Sequence, residues 1–369
     1  MVQLLRRYTA RALPFVRAML MAAMVVAIAL ASSTTPARAA LTDGLLGYWP
    51  FEGNALDMSG NGRDLSLFGG AGFGPGLIGQ GLALPGNSSS YAQRPLDDTV
   101  FDFGSSDFTI QVWFNFNINN REQTLIEKFT GCCGGGWTLT TPGGSDLQFY
   151  SSPTIVLNAG ETFTTSAWHQ AIVERSGSTF NMFFDGALVA SGSSAGSLPT
   201  SPNPLLIGKR NPQDGRDFSV DGSLDEIAIW GRALSGTEIA ELWNGGAGTA
   251  LSIPVSIEIK PPATAPVPIN LSSAGVVPVA ILSTPTFDAT QVDPATVSLA
   301  GAEVQMIGKS DKYSCSTQDV NGDGINDLVC QVSTAQFLIQ PGQSTAILQA
   351  KTLSGQPIQG QEAITIVPQ

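Results

Sequence analysis

Phe108-Thr109-Ile110-Gln111-Val112-Trp113-Phe114-Asn115-Phe116 sets an apolar side chain at every second position and places Thr109, Gln111, Trp113 and Asn115 between them. A period of two is the pattern of a strand with one face in a core. Working outward, Phe180, Met182 and Phe184 repeat the pattern and run through Asp185-Gly186 into Ala187-Leu188-Val189. An Asp-Gly pair between two such runs favours a tight hairpin of type I′. Many strands of this kind, parted by glycine-rich turns, imply an all-β protein built as a sandwich or barrel. One helix interrupts the pattern. Ser235 caps it, Glu238 completes a capping box, and Leu234 staples to Ile239. It should run to about Trp243 and plug the sandwich.

All six tryptophans lie between Trp49 and Trp243, whereas beyond Gly248 the aromatics are Phe287, Tyr313 and Phe337. That shift divides the chain. The Gly-rich stretch Asn244 to Ala250 is flexible, the linker is set at 249–254, and a first domain over 40–248 precedes a second over 255–369. The second domain also reads as strands: Val255, Ile257 and Ile259 alternate, Val276 to Leu282 is a continuous apolar run, and Leu328, Cys330, Val332 and Ile364 to Val367 follow. Pro278 lacks an N–H, which assigns its run to an edge strand or a bulge.

Residues 1–39 read as a signal peptide. Arg6, Arg7, Arg11 and Arg17 precede the apolar run Met19 to Ala31, and Ala37-Arg38-Ala39 matches the small-residue cleavage pattern. The apolar run is shorter than the roughly 18 residues that a membrane span needs, so cleavage, with no membrane insertion after it, is expected over the alternative of an uncleaved anchor. The destination is secreted: extracellular, periplasmic or cell surface. Removing the leader leaves 13 basic against 30 acidic residues, a net charge of −17. Such a surface repels nucleic acid and anionic membranes.

An even number of cysteines in an exported chain suggests disulfides. Cys315 and Cys330 bracket a metal-type loop and are paired on that ground. The adjacent Cys132 and Cys133, flanked by glycines, are either a vicinal disulfide or a reduced pair.

Several segments resemble a known family. Leu45-Leu-Gly-Tyr-Trp-Pro-Phe-Glu-Gly53 with Asp57-Met-Ser-Gly-Asn-Gly62, Phe108 to Trp113, Trp168 to Val173, Phe184 to Ala190, and Gly222 to Trp230 leading to Arg232 through Glu238 are similar to the laminin G-like jelly roll of the concanavalin A-like lectin/glucanase superfamily. The resemblance spans about 41–248 and implies an N-terminal jelly-roll β-sandwich with one short C-terminal helix. It also implies a calcium at Asp57, Asn61, Asp225 and Glu226, although Asp57 and Asn61 equally suit an Asx-type turn. The remainder resembles a smaller β-sandwich module found at the ends of secreted bacterial proteins.

Within that second sandwich, Asp319-Val-Asn-Gly-Asp-Gly-Ile-Asn-Asp327 places oxygen donors at loop positions 1, 3, 5 and 9 and glycine at position 6. Asp319, Asn321, Asp323, Asp327 and the Ile325 carbonyl form a candidate calcium site. Cys330 stands where an EF-hand carries glutamate, so the resemblance is to dockerin, thrombospondin and integrin calcium loops. An Asp-Gly turn without metal is the simpler alternative.

No recognisable catalytic set emerges. The Glu-x-Asp-x-x-Glu pattern of the superfamily's glucanases is absent, and Ser194 sits in a Ser/Gly-rich turn with no helix after it. His169, the single histidine, falls in a strand motif where packing or hydrogen bonding is expected. Glu238 and Glu241 belong to the helix. A non-catalytic binding protein is therefore expected, with carbohydrate or a cell-surface protein as partner and calcium as cofactor. Trp113, Trp137 and Tyr150 are the candidates for stacking on sugar. Adhesion through protein contacts and glycoside hydrolysis remain as alternatives.

Overall fold

The strand Phe108–Phe116 lies in the middle of an eight-stranded sheet. In this computed structural model the described residues are 40–131, 134–144, 146–151, 153–211, 218–271, 275–308, 312–339 and 343–367. The expected signal peptide, 1–39, and the Cys132–Cys133 pair lie outside them.

The first sheet runs, in hydrogen-bonded order, Ala187–Ser193, Thr179–Phe184, His169–Ser176, Phe108–Phe116, Asp221–Trp230, Gln80–Pro85 and Gly72–Pro75, with Leu45–Trp49 also paired to Asp221–Trp230. A seven-stranded second sheet runs Ile155–Asn158, Gln148–Ser151, Gly136–Thr141, Gln123–Phe129, Leu206–Ile207, Tyr91–Gln93 and Ser66–Phe68. Between them lies one core: Ile110, Val112, Phe114, Val173 and Ile229 from the first sheet meet Ile126, Trp137, Leu139 and Phe149 from the second. The alternation in Phe108–Phe116 is thus the inner face of a sandwich. Asp185 and Gly186 both take positive φ, 49° and 76°, as a type I′ turn requires.

The helix Gly236–Trp243 forms as its capping residues dictate. Ser235 accepts from the Glu238 N–H, and the Glu238 carboxylate reaches back to the Ser235 N–H at 2.7 Å. Leu234, Ile239 and Leu242 pack on Tyr48, Ile172, Ala228 and Trp230, so the helix covers the outer face of the first sheet.

Two further sheets follow. One holds Ile253–Pro254, Pro357–Ile366, Thr345–Lys351, Ser298–Leu299 and Ala302–Glu303, with Val267–Ile269 also paired to Pro357–Ile366. The other holds Ile257–Ile259, Val276–Ile281, Asp327–Ser333 and Cys315–Gln318. They share a separate core that includes Ile259, Val279, Ile281, Val332 and Leu348. The disulfide Cys315–Cys330 joins facing residues of its last two strands.

Pro278 corrects an expectation, because Val276–Ile281 is an interior strand paired on both sides. The Pro278 carbonyl accepts from Lys260, just past the end of Ile257–Ile259. A residue's N–H and C=O point to the same neighbour in an antiparallel ladder, so the missing donor falls where that neighbour strand has already ended.

Candidate functional site

The outer face of the second sheet gathers a row of chemically active side chains. Residues facing each other across antiparallel strands share a face. Leu157, Phe149, Leu139, Ile126 and Ile207 are partners pointing into the core, so the neighbouring row, Val156, Tyr150, Thr138, Glu127 and Leu206, points away from it. Thr140 opposite Gln148 forms a parallel row beside it.

The segment after Leu206–Ile207 folds Arg210 and Asn211 onto this face. The Asn211 N–H donates to Glu127 Oε1 at 2.6 Å, and Asn211 Nδ2 donates to the Phe129 carbonyl at 3.0 Å. Arg210 lies 3.3 Å from Glu122 and 3.5 Å from Glu127, with its guanidinium over the rings of Phe218 and Phe129 at 4.8 and 5.6 Å. Phe129 in turn meets Tyr150 edge to face at 5.7 Å. Thr138 Oγ1 is buried without a hydrogen-bond partner. Thr138 and Glu127 are fully buried, Arg210 and Asn211 nearly so, and Tyr150 is half-buried.

Of the three aromatics expected to stack on sugar, Tyr150 alone lies on this face, half-buried. Trp113 and Trp137 are fully buried. The Trp113 ring stacks on Trp243 at 5.3 Å beneath the helix, and Trp137 sits in the core against Phe103, donating to the Phe101 carbonyl. Neither presents a face to a ligand, because one is roofed by the helix and the other enclosed by the two sheets. Glu127 and Arg210 were missed. They are 83 positions apart in sequence, and only the pairing of Leu206–Ile207 with Gln123–Phe129 brings them together.

In the loop Asp319–Asp327, the Asp319 carboxylate accepts from the N–H groups of Gly322 at 2.7 Å and Gly324 at 2.9 Å, Asn321 Oδ1 from Asp323 at 3.0 Å, and Asp323 Oδ1 from Ile325 at 2.8 Å. Gly322 and Gly324 make this curl possible with φ of 78° and 87°. Asp327 stands apart: it is fully buried and accepts from Ser283 and Val320. Among the described residues no three of His, Cys, Asp and Glu gather closely enough to hold a metal. The oxygens of Asp319, Asn321 and Asp323 do fit calcium's preference for hard donors, with carbonyls such as that of Ile325 and water needed to complete about six to eight.

The other expected calcium ligands divide between two tasks. Asp57 braces the opening loop, accepting from Tyr48, Ser59 and Arg63, while Asn61 donates to the Leu45 carbonyl. Asp225 accepts from Leu77 and Ile78 at the tip of a hairpin and from Glu226, whose own carboxylate accepts from the Tyr48 hydroxyl at 2.7 Å. Burial pushes the Asp225 carboxyl up to about 8 against those three N–H bonds, with Glu52 adding to the rise. Glu226 is raised by burial and then by Asp225, and its Oε1 is buried without a partner. Gly76 is required here, since a Cβ would stand 2.6 Å from the Asp225 carboxylate.

His169 holds a turn, its Nδ1 at 2.8 Å from Asp185 and its ring stacked on Phe184. Among the described residues no helix is long and apolar enough to cross a membrane.

Residues 86–240 match the family model of the concanavalin A-like lectin/glucanases superfamily (Laminin_G_3). No curated protein matches the chain. Similar solved structures include domain 4 of an extracellular GH43 arabinanase from Geobacillus stearothermophilus in complex with arabinotriose, 16% identical over 56% of this chain and 98% of that one, TM-score 0.44. The CBM40 of Ruminococcus gnavus IT-sialidase bound to α2,3-sialyllactose is 14% identical over 37% of this chain and 82% of that one, TM-score 0.34. The binding domain of Paraclostridial Mosquitocidal Protein 1 is 14% identical over 85% of each chain, TM-score 0.45.

Proposed function

We propose that this chain is a secreted, non-catalytic carbohydrate-binding protein that holds glycan on the outer face of its second sheet and is stabilised by calcium in the loop Asp319–Asp327. The observation that carries the reading is Tyr150 with Val156 opposite it and Gln148 bonded to Asn158 beside it, all at least partly exposed on that face. Adjacent strands set such partners about 4.8 Å apart, close to the length of a sugar ring. An aromatic edge with donors and acceptors in fixed register is what a polyhydroxylated ligand with apolar C–H faces needs. The helix occupies the corresponding face of the first sheet. The leader pattern of residues 1–39 supports export.

Asp319, Asn321 and Asp323 would hold the calcium. The ion would cross-link the loop and offset the repulsion of its carboxylates, a structural role.

The test is a glycan array probed with mature protein, calcium-loaded and chelated, together with Tyr150→Ala. Saturable, sugar-specific binding lost in the variant is expected. A blank array with an intact fold would overturn the proposal in favour of protein adhesion, and turnover of a bound glycan would overturn its non-catalytic part.

A further inference from the structure

The far edge of the second sheet carries an aromatic surface of its own. Leu67 and Ala92 pack on the core, so their neighbours Phe68 and Tyr91, which face each other across the last two strands, point outward. Their rings stack at 4.8 Å and lie 12° from parallel. Phe68 is exposed and Tyr91 half-buried. Tyr91 is four strands away from Tyr150, about 19 Å, too far for the two to serve one sugar ring.

The loop from Gly86 to Ser90 closes against this edge, leaving Asn87, Ser88 and Ser89 exposed. The Gly70 N–H donates to Ser90 Oγ at 2.9 Å, and a Cβ at Gly69 would collide with the Ser89 carbonyl, so glycine there lets the loop pack on the strand end. Two cations grip the loop backbone. Lys209 donates to the Ser88 carbonyl and sets its ammonium 4.7 Å from the centre of the Tyr91 ring. Arg121 Nη2 donates to the Gly86 carbonyl at 2.9 Å, while its Nε is buried without a partner. Gly86 and Ser88 are two positions apart, so no more than about 7 Å separates them.

Neither charge is balanced. Among the described residues no carboxylate lies within ion-pairing distance of Lys209 or Arg121, whereas Arg63, Lys128, Arg210 and Arg232 each face one. Asp221, packed against Gly86, takes the Asn117 amide. Lys209 is buried, and a buried cation held by neutral groups alone carries a cost that an anion removes. Water screens such a charge little, so its field reaches the open surface of the stack.

We infer that this edge binds an acidic glycan of the uronate class, with a sugar ring on Phe68 and its carboxylate beside Ser88, where Lys209 and Arg121 supply the charge. Lys209 lies directly on the neighbouring ring of the stack, so the anionic group belongs on the stacked sugar itself, which is the uronate arrangement. A neutral sugar would leave both charges unbalanced, and a cation would be repelled. The ligand class rests on the glycan-binding reading, but the patch does not include Tyr150.

The test is calorimetric titration of the full mature chain with trigalacturonate and with its methyl ester, at low and at physiological salt. Saturable binding of the acid is expected, about tenfold tighter than the ester and weakening as salt rises. Phe68→Ala, at an exposed position, should weaken acid and ester alike about tenfold. Lys209→Met keeps an aliphatic stem on Tyr91 and should leave the acid no tighter than the ester; Arg121→Gln, which keeps a donor for the loop, should narrow the same gap if Lys209→Met fails to fold. Tyr150→Ala should bind the acid as the parent does. No saturable binding of the acid, equal binding of acid and ester, or loss of the acid in Tyr150→Ala but not in Phe68→Ala would overturn the inference, the last while leaving the glycan reading of the Tyr150 face intact.

Discussion

Asp225→Asn should flatten the pH dependence of stability. The Asp225 carboxyl is fully buried beneath the Gly76 to Gly79 hairpin, and burial holds it up at about 8 against an ordinary value of 3.8. Because the folded value exceeds the unfolded one, the folded chain binds this proton more tightly. The stabilisation is complete below the unfolded value, declines by about 1.4 kcal/mol for each pH unit above it, and is gone once pH passes the folded value. Between about pH 5.5 and 8 one such group removes on the order of 3 kcal/mol. Asparagine carries no proton and should erase that slope. It should also relieve Glu226, whose carboxyl Asp225 helps to raise. The amide presents its NH2 to an N–H that the carboxylate accepted, so the variant starts less stable at acid pH and gains on the parent as pH rises. Urea unfolding in chelator at about pH 5.5, 7 and 8.5 reads the difference. Parallel curves for parent and variant across that range would refute a neutral Asp225 in the folded protein.

Removing the disulfide with Cys315→Ala and Cys330→Ala opens a loop closed across 15 positions and should cost about 3 kcal/mol in urea unfolding under oxidising conditions. An unchanged midpoint would mean that the paired strands alone restrict the unfolded chain. Ser235→Ala removes the side chain that accepts the Glu238 N–H and should cost about 1 kcal/mol, read by thermal unfolding. Calcium should raise the melting temperature of the parent and leave that of the double variant Asp319→Asn, Asp323→Asn unmoved; an equal rise in both would place any bound calcium elsewhere.

The sandwich was legible because its signals are local. The alternation of Phe108–Phe116 predicts a strand with one buried face, Asp185-Gly186 predicts the hairpin after the run Phe180, Met182 and Phe184, and Ser235 with Glu238 predicts the start of the helix, and each is found. What was not legible depends on partners distant in the chain. Trp113 occupies the polar phase of its strand and so reads as exposed, yet Trp243 covers it from a helix 130 positions later. Pro278 reads as an edge signal, but the adjacent strand ends at Ile259 and leaves its missing donor without a partner to lose. Glu127 reads as a solvated strand residue until Arg210 and Asn211 fold over it.

The measurement that bears most directly on the central claim is calorimetric titration of the parent, Tyr150→Ala and Gln148→Ala with the oligosaccharide that the array selects. Gln148→Ala removes the partly exposed amide on the same strand as Tyr150. Both variants should melt as the parent does and bind about tenfold more weakly, since each loses one contact that the ligand makes. Parent-like affinity in both would place the glycan away from this face and contradict the account.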